Sequence, residues 1–207
     1  GFFKIVSRAP LELGPFGGNG RPFRMMKTHF KQFPLRDFAQ TVVPAVLKAR
    51  APVSDFNDIT ELHVKVSQKA LDVMADGPDK WRPSSRETAD HSIPHTAAVA
   101  LKHGAVDLDY FGAQYLGNKK LLTLADRVKC SVSEEANRCD EECSMCELDV
   151  VLRSGERRSY REEYHRGHRL NPMTDADIEA KFRSFAGKML PALRVDKLLG
   201  TLWKLEE

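Results

Sequence analysis

The alternation of apolar and polar positions divides the chain into short elements. From Phe38 to Arg50, the set Phe38, Val42, Val43, Val46 and Leu47 recurs at helical spacing, Lys48 and Arg50 suit a C-terminal turn, and Pro52 closes the segment. Ile59, Leu62, Val64 and Val66 then sit among Glu61, His63 and Lys65, the period-two signature of a strand with one buried face. A helix beginning near Ser92 continues through Ala97 to His103 and stops at Gly104; Pro94 falls in its first turn, where a missing N–H costs little. Further helical stretches are expected around Asp107 to Leu116 and Lys119 to Ala125, and a short strand from Arg127 to Val132. Leu148 to Arg153 and Arg157 to Tyr164 flank Ser154-Gly155 and predict a hairpin. Thr174-Asp175-Ala176-Asp177 is a capping signal for a helix through Ile178, Phe182, Phe185 and Met189; Pro191 ends it, and Val195 to Leu205 forms a last helix. Three or more strands, two in a hairpin, mixed with several helices imply an α+β domain, a two-layer α/β sandwich with a mainly antiparallel sheet.

Residues 1–35 hold much of the glycine and proline, including Gly14-Pro15-Phe16-Gly17-Gly18-Asn19-Gly20, and form a linker or a loop draped on a partner surface. Their glycine spacing is not that of a phosphate loop. The domain proper is expected over 36–190, with a C-terminal helix in 191–207. Composition adds little beyond class: 207 residues, 42% hydrophobic and 29% charged, with 32 Lys plus Arg against 29 Asp plus Glu. So small and interleaved an excess of +3 argues against a nucleic-acid or membrane-surface partner. No apolar run approaches the ~18 residues of a spanning helix. Gly1-Phe2-Phe3-Lys4-Ile5 lacks the pattern of a secretory signal, so a cytoplasmic location is expected; opening on Gly rather than Met suggests a piece of something longer.

Three stretches could carry chemistry. Cys139-x-x-x-Cys143-x-x-Cys146 has iron–sulfur spacing, and Cys130 makes a fourth thiolate that could close on zinc. The acidic setting and late position favour a solvated loop with free thiols instead. The second stretch, Trp81 to His95, gathers Arg86, Glu87, Asp90, His91 and His95 at the mouth of a helix. A helix start attracts carboxylates, Arg86 could pair with the same anion, and His91 and His95 would share a helical face. An ordinary N-cap at Asp90 or Ser92 explains the same residues. In the third stretch, Thr28 to Arg36, Lys31 and Arg36 flank Pro34 in a loop feeding a helix, again an anion-friendly geometry or simply a solvated basic loop.

Arg86-Glu87-Thr88-Ala89-Asp90-His91-Ser92-Ile93-Pro94, preceded by Trp81-Arg82-Pro83 and followed by Ala97-Ala98-Val99-Ala100-Leu101, closely resembles the signature of the MmgE/PrpD family. Phe30-Lys31-Gln32-Phe33-Pro34 resembles the family's lysine-x-aromatic-proline segment. Gly1-Phe2-Phe3, the stretch from Gly167 through Asn171-Pro172-Met173-Thr174-Asp175, and Lys181-Phe182 follow in order. The resemblance implies the α+β second domain of a longer lyase, such as 2-methylcitrate dehydratase, paired with an all-helical N-terminal domain that supplies most of the acid–base residues. It implies a small polycarboxylate substrate, no cofactor and a homodimer. It assigns catalytic parts to Lys31, His91 and His95, and substrate binding to Arg36, with Arg86 and Ser92 beside them. Two positions depart from the pattern: Arg36 stands where decarboxylase-like members have histidine, and His95 where tyrosine is usual. Arg36 cannot serve as a base, which disfavours decarboxylation. A non-catalytic assembly module, or an isomerase, epimerase or decarboxylase of the same family, is the alternative reading.

Overall fold

In a computed structural model that describes residue 5 and residues 14–139 and 143–205, β1 (Ile59–Val66), β2 (Val128–Val132), β3 (Cys146–Leu152) and β4 (Arg157–Glu162) form one sheet in the order β2-β1-β3-β4. Gly1-Phe2-Phe3 and part of the acidic cysteine loop lie outside the described residues. β1 pairs antiparallel with β3, and β3 antiparallel with β4, the hairpin expected around Ser154-Gly155. β2, however, runs parallel to β1, with Leu62 opposite Val128 and Val66 opposite Val132. The sheet is therefore mixed rather than mainly antiparallel. The physical reason is the long helical crossover between β1 and β2, which returns the chain to the same end of the sheet.

Alternation decides the faces. Leu62, Val64 and Val66 of β1 and Cys146, Leu148 and Val150 of β3 point into the core. The opposite face carries polar cross-strand pairs: Glu61 with Lys129 at 2.5 Å, Lys65 with Asp149 at 2.5 Å, and His63 with Ser131 at 2.8 Å. Helices cover only the apolar face, which makes the domain a two-layer α+β fold.

Several helices form that cover. α1 (Val42–Arg50) buries Val42, Val43, Ala45, Val46 and Ala49. Between β1 and β2 come α2 (Gln68–Met74), α3 (Pro78–Trp81), α4 (Arg86–Asp90), α5 (Ile93–His103) and α6 (Lys119–Ala125). α5 is the central helix, buried from Ile93 through Leu101. Its small Ala97, Ala98 and Ala100 let α1 and α6 approach closely on either side. The Ser92 hydroxyl caps its start by accepting from the His95 N–H at 3.0 Å, and Gly104 closes it in the left-handed conformation, φ +67°. The stretch after Asp107 is a short 3-10 turn, Leu108–Phe111, rather than a full helix. α7 (Glu134–Arg138) links β2 to the cysteine loop. α8 (Asp175–Ala186) opens on the predicted capping box, Thr174 with Asp177, and α9 (Ala192–Leu202) packs against it. α8 buries no residue fully, and Ile178, Leu198, Leu202 and Trp203 remain exposed.

Candidate functional site

The loop from His29 to Asp37 is fixed from several sides before any chemistry is considered. The Phe30 N–H donates to the Gly167 carbonyl at 2.9 Å, and the Lys181 ammonium donates to the Lys31 carbonyl. Gln40 is fully buried and acts as a template for the turn: its Oε1 accepts from the Phe33 N–H at 3.0 Å, and its Nε2 donates to the carbonyls of Phe33 at 3.0 Å and Leu35 at 3.4 Å. Pro34 sits at the apex, where the Leu35 N–H donates to the Phe33 carbonyl at 2.8 Å. Finally, the Arg36 N–H donates to the Asp90 carbonyl at 3.1 Å, which joins the loop to the end of α4. The loop thus reaches α1 through a 3-10 turn, Asp37–Ala39, instead of feeding that helix directly.

That last bond places two distant stretches together. Lys31, Pro34, Arg36, Asp90 and His91 line one open groove of about 370 Å³, a size suited to a small organic anion. His91 is the C-cap of α4. Its Nδ1 lies 2.5 Å from Asp90 Oδ1 and 3.0 Å from the Glu87 carbonyl. Both neighbours are acceptors, so in the neutral ring Nδ1 is the nitrogen that carries the proton and Nε2 the one with the lone pair. Lys31 and Arg36 supply positive charge on the other wall. Lys181 adds to the same field: burial first, and then the charge of Lys31, lower its pKa.

The other expected site residues fall elsewhere. His91 and His95 do not share a helical face, because α4 ends at Asp90 and α5 begins only at Ile93. His95 points into the interior, 1% exposed, with its ring 5.9 Å from that of Phe111. Burial pushes its pKa down to about 4, against a smaller upward pull from the Tyr110 backbone. Ser92 is fully buried; besides capping α5, its hydroxyl donates to the Lys80 carbonyl. Of the two candidate caps, Ser92 fills the role and Asp90 partners His91. Arg86 is the exposed first residue of α4 and does not line the groove. Gln40 was not singled out in the sequence, and Gly167 only as the start of a family-like stretch, since neither has reactive chemistry and both act only through the loop's backbone.

The cysteines do not assemble one ligand set. Cys139 and Cys143 form a disulfide, so the expected loop of free thiols is in part a bonded pair. Cys130 and Cys146 are separate strand residues; burial pushes the Cys130 thiol up to about 12 and raises that of Cys146 further. Such protonated thiols are poor metal ligands. Among the described residues, an unbonded donor set does converge beside the loop: His29, Asp37 and His165.

The family model described as the MmgE/PrpD C-terminal domain matches residues 33–205. Cis-aconitate decarboxylase of Mus musculus is 28% identical over 125 residues, which cover 60% of this chain and 25% of that protein. Its counterpart from Homo sapiens is 27% identical over 125 residues, covering 60% of this chain and 26% of the relative. The aligned region spans about a quarter of the length of these relatives.

Proposed function

As the chain belongs to the MmgE/PrpD family, matching its C-terminal domain, we propose that it forms the α+β part of a lyase acting on a small polycarboxylate, by proton abstraction beside a carboxylate and loss of water, in the manner of 2-methylcitrate dehydratase. The observation that carries this reading is the shared groove of Lys31, Arg36 and His91. A substrate with several carboxylates needs several cations, and the Arg36 guanidinium can grip one carboxylate in two-pronged fashion while Lys31 serves another or protonates a departing hydroxyl. His91, held in one tautomer by Asp90, offers Nε2 for proton transfer.

The remaining acid–base residues would come from a helical N-terminal domain. Phe30, Met173, Ile178, Phe182 and Trp203 line an apolar hollow of about 700 Å³ that such a domain would cover. The 207-residue chain alone is accordingly expected to bind a tricarboxylate weakly and to show no turnover of 2-methylcitrate. Calorimetric titration with citrate tests the site: Lys31→Ala and Arg36→Ala should each weaken binding about tenfold, the loss of one charge-assisted contact. Equal affinity in all three proteins, or turnover by the chain alone, overturns the assignment. Decarboxylation is the second reading, favoured by the names of both relatives and opposed by arginine at position 36. Release of CO₂ from cis-aconitate by the chain joined to its helical domain would decide for it.

A further inference from the structure

We propose that His29, Asp37 and His165 form a zinc-binding clip that pins the Lys31–Arg36 loop to the Tyr164–Asn171 loop. One donor atom from each of the three residues lies within 4.8 Å of the other two, and His29 Nε2 is already 3.2 Å from Asp37 Oδ1. The clip rests on these contacts alone and is independent of the substrate reading.

His165 is the residue that points to a ligand. It is 2% exposed, and its Nδ1 lies 3.0 Å from the Arg166 carbonyl. A carbonyl can only accept, so Nδ1 carries the proton and Nε2 is left with a lone pair. Among the described residues that buried Nε2 has no hydrogen-bond partner. Converting it to a donor toward Asp37 would need a second proton on a ring that is only 2% exposed. A cation resolves what a proton does not. An imidazole that gives its far N–H to a carbonyl is also in the usual state of a metal ligand, with tautomer and ring orientation fixed from outside.

The other two donors are prepared similarly. Asp37 turns Oδ1 toward His29 while its Oδ2 accepts from the Ser144 hydroxyl at 3.2 Å. His29 meets the His165 ring edge-on with centroids 5.1 Å apart. His168 stacks on His29 at 5.6 Å and meets the His165 ring edge-on at 5.9 Å, but its Nδ1 already accepts from the Leu170 N–H at 3.1 Å, so it walls the site rather than joining it through that atom. Two imidazoles and one carboxylate suit zinc better than calcium or magnesium, which take oxygen donors. Tetrahedral zinc with bonds near 2.0–2.1 Å sets donors about 3.3 Å apart, so the widest pair closes by up to about 1.5 Å. His29 and Asp37 lie on a half-exposed segment that can make that move. Water completes the fourth position.

Position gives the clip its purpose. Asp37 directly follows Arg36, and His29 lies two residues before Lys31, so the metal would close both ends of the loop that lines the groove.

The test uses the 207-residue chain stripped with a chelator, then titrated with ZnCl₂ by calorimetry and with CoCl₂ by visible absorption. Saturation at one equivalent is expected, with cobalt bands of tetrahedral intensity and a raised melting temperature on adding zinc. His29→Ala and Asp37→Asn sit at half-exposed positions that a folded chain tolerates, and each should weaken zinc at least tenfold. His165→Gln should do the same, with circular dichroism checking its fold. The double variant Cys139→Ser/Cys143→Ser should bind as the parent does. Absence of saturable zinc binding, undiminished binding in His29→Ala and Asp37→Asn, or loss of binding only in the cysteine variant would each overturn the clip.

Discussion

Replacing His95 by Leu should remove much of the acid sensitivity of folding while leaving the core intact. His95 is 1% exposed, its ring faces Phe111, and the polar group it meets is the Tyr110 backbone. Protonation therefore places a charge where burial penalises it, and the folded pKa falls to about 4. In the unfolded chain the same group titrates near 6.5. Between these values the unfolded state holds more protons, so His95 weakens folding as pH drops. The stability is complete above about pH 6.5, declines through the interval, and the penalty saturates below about pH 4. At 1.36 kcal/mol per pH unit the full effect is about 3 kcal/mol, a large share of a typical domain's stability. His95→Leu keeps a similar volume and deletes the titration. At pH 7.5 it removes buried polar nitrogens together with their contact to the Tyr110 backbone, so it should change stability by no more than about 1 kcal/mol. Urea unfolding of both proteins in steps from pH 7.5 to 4.5 measures the difference directly. His103 and His165, also lowered by burial, remain in both and cancel in the comparison. Parallel stability curves over that range would refute the reasoning, because His95 would then accept its proton at no cost.

Two further substitutions probe the loop that carries Lys31 and Arg36. Gly167 has φ +100°, and a Cβ there would stand 2.2 Å from the Phe30 carbonyl oxygen, so Gly167→Ala should cost at least about 2 kcal/mol in chemical denaturation and lose the Phe30 N–H bond. A cost under half a kilocalorie would mean the two loops do not meet as described. Gln40→Leu preserves bulk but orphans the Phe33 N–H and two carbonyls; a loss of about 2–3 kcal/mol and faster amide exchange at Phe33 are expected, and unchanged exchange would show the turn stands without its template.

Much of the fold was legible because alternation and capping are local. β1 appears with the bounds its pattern implies, and α5 begins one residue after its serine cap and ends one residue before its glycine. The capping box of α8 was readable for the same reason. Four short helices were missed, α3 among them, although the other three carry a serine cap: Ser67 for α2, Ser85 for α4 and Ser133 for α7. Their few turns offer too little periodicity for a pattern to register, so the cap was the one local clue. The parallel edge strand had no local sign at all. Val128–Val132 has the same residue types whichever direction its neighbour runs, and only the crossover between β1 and β2 settles it.

The candidate site shows the limit more sharply, because its parts obey different rules. Lys31, Arg36 and His91 were identified through a resemblance, and a single backbone bond from Arg36 to Asp90 gathers them. No spacing rule could foresee that bond, since it joins a loop to a helix end across the fold. His95 illustrates the converse. Four residues after His91, it belongs on the same face only if one helix runs through both, and Ser92 prevents that by capping a new helix whose axis starts afresh. The serine that looked like part of the anion site is thus the residue that turns His95 inward, where burial strips it of charge at neutral pH. One hydroxyl decides whether a histidine serves the groove or the core. The same logic explains His165: nothing near it in sequence marks a ligand, and the proposed role rests on its partnerless buried nitrogen and on the convergence of His29 and Asp37 from across the chain.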